Sequence, residues 1–336
     1  VKILYNTYPV AFDCPGGGEI QLLKTIEHVQ KQGFEIERFD PWKPNFKGVD
    51  VVHYFSVQGG SHNFCSYVRN NKNLPLVISP ILWPGGDTSG YPMEEIKYLL
   101  HISQVLLPNS NLEAKLLSEV FSVPLERFLP VTNGVADLFT SDSQPSLELF
   151  RTHFNINEPF ILCVGNIEPR KNQLNLVKVF NELQKVGTLP SQMKLILIGN
   201  VRDKNYYNQI IENSNLQVQF LGTLDHQSDL LRSAYKACSL FILPSTLETP
   251  GLAALEAAVL GAKLAVTEVG STREYFKDYA VYLNPHDNES IVQAILDGLK
   301  LPINENLRQH IKQNFTWEKT AQQSCLAYKK AIELLK

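Results

Sequence analysis

Short β-branched and apolar runs alternate with stretches of helical periodicity along nearly the whole chain, the pattern of parallel α/β architecture. In the first half it predicts strands near residues 2–6, 35–39, 49–54, 75–79, 104–108 and 127–131. In the second half it predicts them near 160–165, 194–199, 217–221, 239–243, 263–267 and 280–283. Several are continuous apolar runs, such as Phe160-Ile161-Leu162-Cys163-Val164 and Leu240-Phe241-Ile242-Leu243. Strands whose two faces are both covered by helices read this way. Between the first two strands, Leu22, Ile26 and Val29 recur at i, i+4 and i+7 and make one apolar helical stripe.

The stretch from Asp137 to Glu148 is polar, contains Pro145 and separates the two strand sets. It is predicted to be a linker, dividing a first domain, 1–145, from a second, 146–316. A last helix is expected from about Trp317 to Lys336, with Asn314 and Thr316 as caps. At 336 residues the chain is long for one core and comfortable for two.

Composition narrows the function without naming it. A content of 44% hydrophobic and 19% charged residues is that of an ordinary soluble globular protein. A formal net charge of -3 gives no support for a bulk electrostatic nucleic-acid binder. Cys14, Cys65, Cys163, Cys238 and Cys325 are odd in number and never form C-x-x-C, which argues against a disulfide framework or zinc site and fits a reducing cytoplasm. No apolar run reaches the roughly 18 residues that span a bilayer, and no signal peptide is expected from the opening residues.

Ligands of open parallel sheets bind beyond the carboxyl ends of the strands, at helix N-termini, and the chemically suggestive residues are predicted at such turns. Glu256 is the only charged residue between Gly251 and Ala262, and its helical neighbours Leu252, Ala253, Val259 and Leu260 are all apolar. A carboxylate within an apolar stripe is costly unless it is paired or turned to a ligand. Glu248 stands on the loop before that helix. Pro250 suits a first helical turn, Gly251 removes side-chain bulk, and the amides of Gly251, Leu252 and Ala253 would form an anion site. Arg170 and Lys171 sit at another strand-to-helix turn, where two cations can neutralise a diphosphate. Pro15-Gly16-Gly17-Gly18-Glu19 follows the first strand; consecutive glycines let backbone approach a phosphate closely. On the residues alone, plain readings stay open: a backbone-bonded core-edge glutamate, a solvated cation pair, a simple glycine turn. No D-x-D pair is placed at a strand end to hold a divalent cation, so no metal site is expected.

The run P-S-x-x-E-x-P-G-L-x-x-L-E-A, from Pro244 to Ala257, resembles the E-x7-E signature of the family-four retaining glycosyltransferases. The resemblance implies a GT-B fold: two doubly wound Rossmann-like domains facing each other across a cleft, with a C-terminal helix, 317–336, crossing back to the first. It implies transfer of a hexose from a nucleotide-diphosphate donor of UDP or GDP type to an acceptor hydroxyl, in polysaccharide or glycoconjugate assembly, with no cofactor. Glu256 would then take the ribose hydroxyls and Glu248 the transferred sugar, while Thr249 and Pro250 replace the family's Gly-Phe. Lys171 matches the family lysine on the leaving diphosphate; Asn166 stands where an arginine is usual, and Arg170 supplies the second charge. Gly16 and Gly17 match a loop facing diphosphate and acceptor, and Phe220-Leu221-Gly222 places Leu221 beside the nucleobase. Weaker echoes at Asn109-Ser110, Asn133-Gly134-Val135, Asn284-Pro285-His286-Asp287 and Phe315-Thr316-Trp317 extend the match along the chain. Expected partners are the donor and a sugar, lipid-linked or small-molecule acceptor, without nucleic acid. The expected location is cytoplasmic, with weak association to the inner face of a membrane left open. Readings from other classes are a GT-B-shaped epimerase, a phosphorylase and a non-catalytic sugar-nucleotide-binding protein. No feature marks the pyridoxal lysine that a phosphorylase needs. Loss of Glu248 or Lys171 would mark a non-catalytic binder, and both are present. A nicotinamide dehydrogenase is disfavoured by the missing G-x-G-x-x-G.

Overall fold

The computed structural model describes residues 1–13, 15–86 and 88–335 and divides into two compact units, Val1–Gly134 with Phe315–Lys336, and Val135–Asn314. Cys14 lies outside the described residues; Cys65, Cys163, Cys238 and Cys325 are free thiols.

The first unit runs β1 (Lys2–Thr7), α1 (Gly17–Lys31), β2 (Glu35–Arg38), β3 (Val51–Phe55), α2 (Ser61–Asn70), β4 (Leu76–Ser79), α3 (Met93–Ile102), β5 (Val105–Leu106) and α4 (Asn111–Phe121). Its sheet is parallel throughout, in the order β2-β1-β3-β4-β5. Successive side chains alternate between faces, and both faces are apolar for that reason. Ile3, Val51, Val77 and Val105 pack with Leu22, Ile26 and Val29 of α1. Leu4, Val52, Ile78 and Leu106 pack on the other side with Val68, Leu99 and Leu117 of α2, α3 and α4. The C-terminal helix, Trp317–Glu333, starts at Thr316, whose hydroxyl accepts from the Lys319 amide, and packs along α1. Gly134 lies against its first turn: a Cβ there would stand 2.2 Å from the Thr316 carbonyl carbon. A buried polar network ties the helix to the sheet. His53 bonds Tyr328 Oη through Nδ1 at 2.8 Å and Ser79 Oγ through Nε2 at 3.0 Å, and Tyr5 Oη meets Tyr328 Oη at 2.6 Å.

The strand expected at 127–131 does not form. Only Phe128 makes an isolated parallel bridge, to Leu106. A 3₁₀ turn occupies Leu125–Arg127; beyond it the Leu129 and Val131 amides donate to the Leu106 and Pro108 carbonyls at 2.8 Å, but Pro108 has no N–H to return a bond.

The second unit runs α5 (Asp137–Thr140), α6 (Glu148–Phe154), β6 (Phe160–Val164), α7 (Gln173–Lys185), β7 (Lys194–Ile198), α8 (Lys204–Asn213), β8 (Val218–Phe220), α9 (Asp229–Ala237), β9 (Leu240–Leu243), α10 (Leu252–Val259), β10 (Leu264–Thr267), α11 (Thr272–Phe276), β11 (Val281–Leu283), α12 (Asn288–Lys300) and α13 (Glu305–Asn314). Its six strands are parallel in the order β11-β10-β9-β6-β7-β8. The order reverses between β6 and β9, so the loops that leave their carboxyl ends diverge at a switch point.

The unit boundary falls at Gly134–Val135, earlier than the boundary expected at residue 145, and the stretch expected to be a linker belongs to the second unit. Phe139 is buried there, and the buried Arg232 guanidinium donates to the carbonyls of Leu138 at 3.1 Å and Ser143 at 3.2 Å. The polar backbone of this stretch satisfies a buried cation, which composition alone does not reveal. Among the described residues no helix is long and apolar enough to cross a membrane.

Candidate functional site

Four loops meet at the carboxyl edge of the second sheet. The loop after β6 ends in a 3₁₀ turn, Pro169–Lys171, followed by Asn172 in the left-handed region at φ 58°. Asn172 Nδ2 donates to the carbonyls of Pro244 (3.2 Å) and Pro285 (2.8 Å), tying this loop to those after β9 and β11. The Thr246 amide donates to the Arg170 carbonyl at 2.8 Å, a second tie to the loop after β9. That loop in turn bridges to the turn after β10: the Glu248 amide donates to Val269 O, and the Ser271 amide donates to Glu248 O at 2.9 Å. Gly270 makes the approach possible, at φ 109° and with a Cβ position only 2.0 Å from Glu248 O.

These ties bring three charged residues together. Lys171 Nζ donates to Glu248 Oε1 at 2.5 Å, and Arg170 Nη1 stands 4.0 Å from the same oxygen. The Arg170 guanidinium is half exposed and also donates to Leu247 O and Glu168 Oε1. Glu248 is only 5% exposed. Burial alone would push its carboxyl up; the Lys171 ammonium and then the Arg170 guanidinium outweigh burial and hold it below the ordinary carboxylate range.

Helix α10 begins beside this pair, though not as the sequence suggests. The Thr249–Pro250 bond is cis, Gly251 is the N-cap at φ 87°, and the helix starts at Leu252, so Pro250 precedes the first turn instead of occupying it. A Cβ on Gly251 would stand 2.8 Å from Leu243 Cδ2 and 3.3 Å from Glu248 Oε2, which places the Glu248 carboxylate over the helix start. The first helical amides, of Leu252 and Ala253, carry the positive end of the helix dipole.

Glu256, on the next turn of α10, is 6% exposed. Its Oε1 meets His226 Nε2 at 2.5 Å, and its Oε2 accepts from Tyr235 Oη at 3.0 Å. Tyr235 is fully buried, and burial, then the Glu256 charge, drive its hydroxyl well above the ordinary phenol range. Phe139 lies against both rings, with centroids 5.4 Å from His226 and 6.3 Å from Tyr235.

Arg170, Lys171, Glu248, Gly251 and Leu252 therefore come together at the switch point, with Glu256 farther along the same helix. Asn166 belongs to the same turn as Lys171, its carbonyl accepting from Gln173 Nε2 at 2.8 Å. Leu221 follows β8 directly, its amide bonded to Leu197 O at 3.0 Å, and opens the connection that carries His226. In the first unit Gly16 is the N-cap of α1 and Gly17 its first residue; the Gly16 amide donates to Glu19 Oε2 at 2.7 Å, and Tyr8 Oη to Glu19 Oε1 at 2.8 Å. The glycines form the capped start of α1. Ser110, one of the weaker echoes, caps α4. Sequence reasoning missed His226, Tyr235 and Phe139. A tyrosine buried in a helix needs a hydroxyl partner, so Tyr235 carried a signal; a single polar-loop histidine carried none.

Comparison with known proteins bears on the family and the fold. Residues 147–316 match the family described as glycosyl transferases group 1. An uncharacterized glycosyltransferase of Methanocaldococcus jannaschii is 24% identical over 316 residues, 90% of this chain and 77% of that protein. A probable sucrose-phosphate synthase of Solanum tuberosum is 30% identical over 184 residues, 49% of this chain but only 17% of the plant protein. Among solved structures, sucrose-phosphate synthase from Thermosynechococcus elongatus superposes with a TM-score of 0.81 at 18% identity, covering 99% of both chains. Anabaena HepE, solved with UDP and glucose, superposes at 0.76 and 17% identity, covering 97% of this chain and 98% of that one. The fold is GT-B, and the chain belongs to the group 1 glycosyl transferases.

Proposed function

We propose that this glycosyltransferase moves a hexose from a UDP- or GDP-sugar to an acceptor hydroxyl, keeping the anomeric configuration and using no divalent cation. The observation that carries the proposal is the buried Lys171–Glu248 pair with Arg170 beside it, set against the start of α10. A diphosphate lying on Lys171, Arg170 and the amides of Gly251, Leu252 and Ala253 would replace the carboxylate as partner of the ammonium. Glu248 would then be released to a hydroxyl of the sugar. These groups stabilise charge that grows on the leaving phosphate, where electrostatic catalysis contributes most. Both are fixed cations, so a metal ion is not needed for that role. Glu256 takes the ribose diol, Leu221 flanks the nucleobase, Asn166 lies beside the diphosphate, and Gly16 and Gly17 face the donor diphosphate and the acceptor. The acceptor hydroxyl attacks from the face the phosphate leaves, and the departing phosphate oxygen takes its proton. The UDP and glucose held by HepE favour UDP over GDP.

The test is turnover of UDP- and GDP-hexoses against a panel of sugar and sugar-phosphate acceptors, with the product's anomeric proton read by NMR. Retained configuration and full rate in excess EDTA are expected. An inverted product overturns the stereochemical part; loss with EDTA, restored by manganese or magnesium, overturns metal independence. Binding of the sugar nucleotide without transfer, or its epimerisation, would replace the proposal altogether.

A further inference from the structure

We infer that His226 is a positioning residue for the nucleotide site: with Tyr235 it clamps the Glu256 carboxylate in the orientation that receives the ribose diol. The inference rests on the ribose role proposed for Glu256. A carboxylate on a helix has free rotation about its last bonds unless both oxygens are held, and ordering it on binding costs affinity. Here both oxygens are held from different directions, Oε1 by His226 Nε2 at 2.5 Å and Oε2 by Tyr235 Oη at 3.0 Å. Each oxygen keeps a further lone pair for a ligand hydroxyl. The two donors differ in kind. Tyr235 is fully buried on α9, whereas the His226 side chain is 43% exposed on the connection from β8, so His226 is the member of the clamp that borders solvent. The imidazole is itself fixed, because Phe139 of α5 lies 5.4 Å from it at 46° and also packs on Tyr235. The β8–α9 connection and α9 thus hold one carboxylate of α10, and α5 packs on both of the rings that hold it. A glutamate serving only the core would be satisfied by buried partners; this one has a half-exposed donor and lies on the helix whose first turn meets Glu248.

The consequence is selective. Losing the clamp should reduce discrimination for the ribose hydroxyls, not binding of the nucleotide in general. UDP, GDP and ADP are titrated calorimetrically, and the tightest is compared with its 2′-deoxy form on wild type, His226→Ala, His226→Gln, Tyr235→Phe and Glu256→Ala. Wild type should prefer the ribonucleotide, and Glu256→Ala should abolish the preference. His226→Ala should cut it about tenfold, the scale of one hydrogen bond to a charged group, and His226→Gln, which retains a donor, should recover most of it. Tyr235→Phe should also lower the ratio, which keeps the test decisive if His226→Ala does not fold. An unchanged ratio in a folded His226→Ala variant, with equal losses for both nucleotides, overturns the positioning role while the Glu256 reading stands. A full ribose preference in Glu256→Ala, or no binding of any of the three nucleotides to wild type, overturns the underlying reading instead.

Discussion

Replacing Lys171 by alanine separates the structural from the catalytic consequences of the buried pair. The ammonium is bonded at 2.5 Å to a carboxylate that is 5% exposed, and Arg170 stands 4.0 Å from the same oxygen. Removing one partner of a fully buried pair typically costs about 3–5 kcal/mol. With Arg170 still in reach, the loss here should be smaller, about 1–3 kcal/mol, and readable in thermal melts. Adding Glu248→Gln should restore much of that stability, since no buried charge is then left unpaired. Catalysis should behave differently. The donor diphosphate carries charge before reaction and gains more as the sugar departs, so the ammonium is worth more in the transition state. Lys171→Ala should lower kcat by about 10²–10³, with a smaller change in donor affinity, and the Glu248→Gln background should rescue stability without rescuing rate. Arg170→Ala should follow the same pattern, and the double variant should be non-additive because both cations serve one diphosphate. Steady-state kinetics on folded variants decides the matter. Wild-type kcat in Lys171→Ala, or recovery of rate together with stability, would refute the reasoning.

Glu256→Ala should weaken nucleotide binding by about 1.5–3 kcal/mol, for free nucleotide as well as sugar donor; equal affinity by calorimetry would make the residue purely structural. Gly270→Ala puts a Cβ 2.0 Å from Glu248 O at a φ of 109°, and should lower both Tm and turnover, whereas a wild-type melt and rate would contradict the tight strand-end packing. Burial drives the His53 imidazole down to about 3, so the folded state holds it neutral while the unfolded chain takes up a proton below about 6.5. Stability should be full above that value and fall by up to about 1.4 kcal/mol per unit as pH drops towards 3, a slope that flattens in His53→Gln; identical pH–Tm curves would exclude the effect. The lowered Glu248 carboxyl adds stability above the ordinary carboxylate range that is lost as pH falls through its folded value, and Glu248→Gln should remove that part of the acid sensitivity.

The α/β alternation was legible because both faces of these sheets are buried, so β6 and β9 read as unbroken apolar runs. The same logic misread residues 127–131, where apolar character is high but Pro108, just past β5, has no N–H to complete the ladder. The polar stretch from Asp137 looked like a linker because composition does not show that Arg232, some ninety positions later, needs its carbonyls. Glu248 and Glu256 stood out because carboxylates are costly in apolar surroundings. Their partners were harder: Lys171 lies 77 residues from Glu248 and His226 lies 30 from Glu256, pairings that only strand order creates. The helix start at Leu252 was off by two residues because proline usually opens a first turn, while here Gly251 takes the cap.

The central claim, that the turns after β6 and β9 hold a nucleotide diphosphate, is tested most directly by a crystal structure with bound UDP. The expected result is a diphosphate contacting Lys171, Arg170 and the Leu252 and Ala253 amides, with the ribose hydroxyls on Glu256 and Lys171 drawn away from Glu248. A nucleotide seated elsewhere, with the Lys171–Glu248 pair intact at 2.5 Å, would contradict it.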